Sequence, residues 1–133
     1  MAGLLAALLA LALGWRRFVS LHLGRQARFN RKRHILLGKI ALCAWLTGLA
    51  GGVAMVRYFW HGYFITGDHA VIGLIMLPLI LWGLLSGMYM ERRPAARRLL
   101  PLWHGINNLV LIMLAIWQIH EGAKVIEHFI KGG

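Results

Sequence analysis

Seven histidines stand among 133 residues, and their imidazoles are the side chains here best suited to hold a cofactor. His34, His69 and His104 follow one another at intervals of 35 residues. The first two share a pattern, His-x-x-x-Gly-x-Ile, in His34-Ile-Leu-Leu-Gly38-Lys-Ile40 and His69-Ala-Val-Ile-Gly73-Leu-Ile75. A step of four residues puts Gly38 and Gly73 one helical turn beyond each histidine on the same face, which predicts a flat slot beside the ring. The third instance differs: Asn108 stands four residues after His104, and Gly105 is adjacent. His120 is a fourth candidate, at the end of the last apolar stretch. Two facing imidazoles are what haem iron requires as axial ligands, and helix bundles present such ligands from facing helices. Cys-x-x-Cys-His is absent, so any haem would be b-type and held without covalent attachment. Zinc fits less well, because neither carboxylates nor thiolates accompany the histidines in a four-coordinate pattern.

These residues sit in a chain built for lipid. Its composition is 59% hydrophobic and 14% charged, with a mean hydropathy of +0.65. Those figures exclude a soluble enzyme, a disordered basic tail and a disulfide scaffold. The lone Cys43 lies within an apolar run and has no internal partner. Crossing a hydrocarbon core of about 30 Å takes about 20 apolar residues. His34–Val56, His69–Met90 and Leu99–Ile119 meet that length. Ala2–Trp15 is shorter, and spans only if its helix continues through Arg16 and Arg17 to Leu23, both arginines snorkelling to the headgroups. A cleaved signal peptide carries its positive charge ahead of the apolar run. Here the charge follows, so a retained first helix is expected.

The net charge of +11 is distributed between these runs, in the manner of topology charges and lipid-headgroup contacts rather than a nucleic-acid surface. Arg16, Arg17, Arg25, Arg28, Arg31, Lys32 and Arg33 fill the first connection, and Arg92, Arg93, Arg97 and Arg98 the third. The second, Arg57 to Asp68, holds one Arg and one Asp. In the tail Lys124 and Lys131 balance Glu121 and Glu127. The expected fold is an all-α integral membrane protein, an antiparallel four-helix bundle in one domain with spans near 2–23, 34–56, 69–90 and 99–120. Basic odd-numbered connections put both termini on the non-cytoplasmic side, fitting a bacterial inner membrane. Within the spans, Gly48-x-x-x-Gly52 and Gly83-x-x-x-Gly87 permit close backbone approach, and Pro78 is expected to kink the third helix.

This topology pairs the histidines by depth. The second and fourth helices both start on the cytoplasmic side, so His34 matches His104. His69 opens the third helix on the other side, where the fourth ends at His120. Along the fourth helix His104 and His120 are about 24 Å apart and point about 160° apart. One can then face the second helix and the other the third. Two pairs result, with His61 of the outer connection able to replace His120.

The residues Leu102-Trp103-His104-Gly105-Ile106-Asn107-Asn108, the glycines one turn after His34 and His69, and the four spans resemble the small b-type membrane cytochromes. That superfamily includes the ascorbate-reducible cytochromes b and the haem-bearing part of ferric reductases. The resemblance covers roughly Arg33 to Glu121. It implies bis-histidine haem b, two groups or one, with His34, His69, His104 and His120 as ligands, and electron transfer across the bilayer. No flavin or nicotinamide signature accompanies it.

Several other residues have two readings. Asn107, Asn108 and Gln118 can orient a ligand imidazole, contact a propionate, hold a quinone head, or simply bond neighbouring helices. Arg33, Lys39 and Arg57 can pair propionates or serve as topology charges. Trp60, Trp103, Trp117, Tyr58 and Tyr63 suit interfacial belts. The methionines suit packing. Expected exchange partners are quinol or other redox protein subunits, beside membrane lipid. The alternative is a pigment-binding or scaffold subunit of a larger complex, in which each histidine acts singly. A channel or transporter would place acidic residues at mid-membrane, and none is found there.

Overall fold

In a computed structural model the described residues are 1–130, with side chains through His128. Lys131, counted above with the tail charges, lies outside them. The described residues form four helices: α1 (Ala2–His22), α2 (Arg31–Trp60), α3 (Asp68–Arg92) and α4 (Leu99–Ile130). All four are long and apolar enough to cross a membrane, and the described residues contain no strand. The backbone of a lipid-embedded segment must satisfy its own polar groups, which is why apolar runs of this length become helices.

Local chemistry sets the helix ends. The Asn30 side chain accepts from the Arg33 backbone N–H at 3.1 Å, an N-cap that starts α2 three residues ahead of His34. α2 closes on His61, whose φ of 52° supplies the left-handed turn more often made by glycine. Pro101 falls in the first turn of α4, where its missing N–H costs nothing. α4 continues through the segment read as a tail: Lys124 donates to Glu121 at 2.8 Å and Trp117 Nε1 does so at 3.2 Å, ion-pair and indole contacts one turn apart that carry the helix onward. Its 32 residues extend about 48 Å, beyond the thickness of the hydrocarbon.

α1 packs against α2 and α3 against α4, and the two hairpins meet through α2·α3 and α1·α4. The diagonal pairs, α1 with α3 and α2 with α4, make no backbone approach. The bundle is therefore a ring of four helices around an axis. α1 turns a small-residue face inward at Gly3, Ala6, Ala7 and Ala10, so that Trp45 and Ala44 of α2 seat directly on Gly3. Leu42, Ile72, Met76, Ile80, Leu111 and Ala115 fill the centre. The two glycine pairs behave differently. Gly83 and Gly87 face α4, where side chains of Asn108 and His104 occupy the space that a Cβ would take, whereas Gly48 and Gly52 face open space.

Candidate functional site

Helical side chains lean toward the N-terminus of their helix. A histidine in the first turns of α2 or α4 therefore leans away from the residue one turn later and across to the other helix of its hairpin. Both hairpins are built on this contact. In the first, His34 Nδ1 lies 2.9 Å from the Ala10 carbonyl oxygen, and a Cβ on Gly14 would stand 3.2 Å from its Cε1. In the second, His104 Nδ1 lies 2.8 Å from Ser86 Oγ, and a Cβ on Gly87 would stand 3.3 Å from its Cε1. The imidazoles thus rest on glycines of the neighbouring helix. Gly38 has open space at its Cβ position, and Gly73 faces Leu49 and Gln118, so neither histidine ring lies beside the glycine one turn after it.

The partners fix the tautomers. A carbonyl only accepts, so the hydrogen at His34 sits on Nδ1. The Ser86 hydroxyl donates to the Trp82 carbonyl at 2.6 Å and is left to accept from His104 Nδ1–H. Both rings therefore carry their lone pair on Nε2, the state in which a metal-ligating histidine is held when its other nitrogen donates to an oxygen. The Asn108 amide reaches His104 Nε2 at 3.1 Å and donates to the His104 carbonyl at 2.8 Å.

The two rings meet across the bundle axis, from diagonal helices. Their centroids are 6.4 Å apart and their planes cross at 71°. A metal–imidazole bond of about 2.0–2.1 Å on each side, with the radius of each ring added, separates two axial imidazoles by roughly 6 Å between centroids. The spacing of the His34 and His104 rings is that of such a pair. Phe29 covers His34 at 5.4 Å, and the Arg17 guanidinium lies over Phe29 at 6.0 Å. Arg31 donates to the Met90 and Glu91 carbonyls at 3.3 and 2.9 Å, and Lys39 pairs with Glu91 at 2.7 Å, which ties the start of α2 to the end of α3.

The other expected pair is not assembled. His69 packs along α4, with its Cε1 3.2 Å from where a Cβ of Gly122 would be. His120 is exposed. Because His104 faces the bundle axis, a residue about 160° around the same helix faces outward; facing α3 would need a much smaller angle. His61 is exposed in the cap of α2. The structure brings together one imidazole pair, not two. Among the supporting residues, Asn107 donates to the Leu79 carbonyl at 3.0 Å and Gln118 to the His69 carbonyl at 2.9 Å, both bonds joining α3 to α4. Arg57 lies over the Tyr63 ring at 5.4 Å, and His22 stacks on Phe18. Arg33 is exposed in the first turn of α2. Sequence reasoning overlooked Ala10, Gly14 and Ser86; for the first two, the small residues Gly3, Ala7, Ala10 and Gly14 at helical spacing were the available signal.

The chain matches no protein-family model, and no curated protein or solved structure is significantly similar to it.

Proposed function

We propose that this protein is a membrane electron carrier holding one b-type haem between His34 and His104, a narrower form of the bis-histidine haem b that the resemblance to small membrane cytochromes implies. The observation that carries this reading is the diagonal imidazole pair, 6.4 Å between centroids, with each Nδ1 turned to an oxygen and the lone pair of each ring on Nε2. Bound there, haem iron would supply one-electron chemistry through a reversible change of oxidation state. The chain's own residues do the rest. The Ala10 carbonyl and Ser86 hydroxyl orient the two rings, Gly14 and Gly87 let them lie close to the helix backbones, and Phe29 shields His34 from the basic face. For His104 Nε2 to hold the iron, Asn108 would have to give up its contact there and keep its bond to the carbonyl of the same residue.

The basic connections support a site near the cytoplasmic face of a bacterial inner membrane, with both termini on the opposite side. Electron exchange would proceed with quinol in the bilayer or with another redox subunit docked at that face. A pigment-binding subunit would use each histidine alone, whereas the 6.4 Å approach of the His34 and His104 rings favours a shared site. The test is a pyridine haemochrome assay with haem-to-protein ratio on purified wild type and single His→Ala variants. One haem per chain is expected, lost in both His34→Ala and His104→Ala and kept in His69→Ala and His120→Ala. A wild type without haem, or a site that survives either of the first two changes, would end the proposal.

A further inference from the structure

At the end of the bundle away from the basic connections, the α3–α4 seam contains two buried polar atoms without partners: His69 Nδ1 and Gln118 Oε1. A buried polar atom with no hydrogen bond is costly, and so is uncommon in a native structure. The two residues interlock. Gln118 Nε2 donates to the His69 backbone carbonyl at 2.9 Å. A Cβ on Gly73 would stand 3.3 Å from that same nitrogen, and a Cβ on Gly122 would stand 3.5 Å from His69 Nδ1. Two glycines, each one turn from the polar residue of its own helix, thus make room for both side chains in the seam.

The Gln118 amide cannot be reversed, because its oxygen would then face the carbonyl oxygen of His69. Its Oε1 therefore looks for a donor. His69 Nδ1 serves as donor or acceptor according to tautomer. We infer that this seam binds a hydroxyl group, which donates to Gln118 Oε1 and accepts from His69 Nδ1–H. A ketone or an ether cannot donate to the amide oxygen. A metal ion would lack ligands, since no group of three His, Cys, Asp or Glu side chains suited to it occurs among the described residues. Two sources supply the required chemistry: a water molecule, or the hydroxyl of a molecule dissolved in the lipid, such as a hydroquinone. The second source would make the seam select the reduced hydroquinone over the quinone, whose oxygens only accept. This inference does not rest on the haem assignment.

The test uses the purified full chain in detergent, with tetramethylhydroquinone as probe and its dimethyl ether as control, read by calorimetry. A high-resolution structure of the chain without either compound completes it. Binding of the hydroquinone at least about tenfold tighter than the ether, the scale set by one lost buried hydrogen bond, with the preference abolished in Gln118→Leu, identifies a lipid-soluble hydroxyl. No preference, but an ordered water within hydrogen-bond distance of both atoms, identifies water. Either result supports the site. Neither preference nor water, or a preference that persists in Gln118→Leu, overturns it; the wild-type comparison stands even if that variant does not fold. Haem content measured on the same samples is expected to be unchanged in Gln118→Leu, so this inference and the haem reading fail separately.

Discussion

Gly87 packs on the His104 imidazole whereas Gly105, next to His104 in the chain, faces open space, and replacing each with alanine separates packing at the site from helix propensity. At Gly105 nothing stands within 4 Å of the added methyl. The change should therefore stabilise α4 by up to about 1 kcal/mol, the Gly-to-Ala difference in a helix interior. At Gly87 the same methyl would stand 3.3 Å from His104 Cε1, inside ordinary contact distance. The ring cannot swing away freely, because Ser86 holds its Nδ1 at 2.8 Å and Asn108 its Nε2 at 3.1 Å. Overpacking of this kind costs about 1–3 kcal/mol. Set against the propensity gain, Gly87→Ala should come out between neutral and about 2 kcal/mol destabilising, while Gly105→Ala is neutral or stabilising. The assay is thermal or denaturant unfolding in one detergent, with haem absorbance recorded on the same samples. Haem occupancy should fall in Gly87→Ala and hold in Gly105→Ala. If the two variants are equally stable and carry equal haem, His104 does not rest on Gly87 and the geometry of the site is wrong.

Ser86→Ala removes the oxygen that receives His104 Nδ1–H; haem affinity should fall about 10–100-fold, as for partners of metal-bound histidines generally, with Ser86→Thr restoring much of it in a haem titration. Asn30→Ala deletes the side-chain acceptor for the Arg33 N–H and should destabilise the fold by about 1 kcal/mol, measured by unfolding, with little change in the haem spectrum. For topology, Arg28→Cys and Arg93→Cys in a Cys43→Ser background should react with membrane-impermeant maleimide only from the cytoplasmic side, and Gly62→Cys only from the other. Labelling of all three from one side would contradict the orientation.

The sequence made the four helices legible because apolar length is a direct requirement of the bilayer, and it made the His34–His104 pair legible because depth follows from counting residues in antiparallel spans. Rotation about the helix axis was harder. Same-face spacing points to Gly38 as the neighbour of His34, but the lean of helical side chains toward the N-terminus carries that ring onto Gly14 instead. His120 was paired with His69 because a wide angle from His104 suggested a second neighbour. In a ring of four helices that angle leads outward. The helical course of Glu121 to Ile130 escaped because charges normally mark a span's end, and here Glu121 is buried against Trp117 while Lys124 reaches back to it.

A pair of imidazoles that meets across the bundle axis needs two diagonal helices with histidines at one height, and the ring order limits how often this can occur. α2 and α4 are diagonal and carry His34 and His104 at the basic end. α3 is diagonal to α1, so an equivalent partner for His69 would have to come from the opposite end of α1 to His22. That segment reads Met1-Ala-Gly-Leu-Leu-Ala-Ala, without an imidazole, and its small face is already given to α2 through Gly3, Ala6 and Ala7. The same small residues that bring α1 close enough to offer the Ala10 carbonyl to His34 thus leave His69 with no ring opposite it. The asymmetry between the two ends follows from one choice of residues in α1: close packing at the first pair, and a solitary histidine beside Gln118 at the other end.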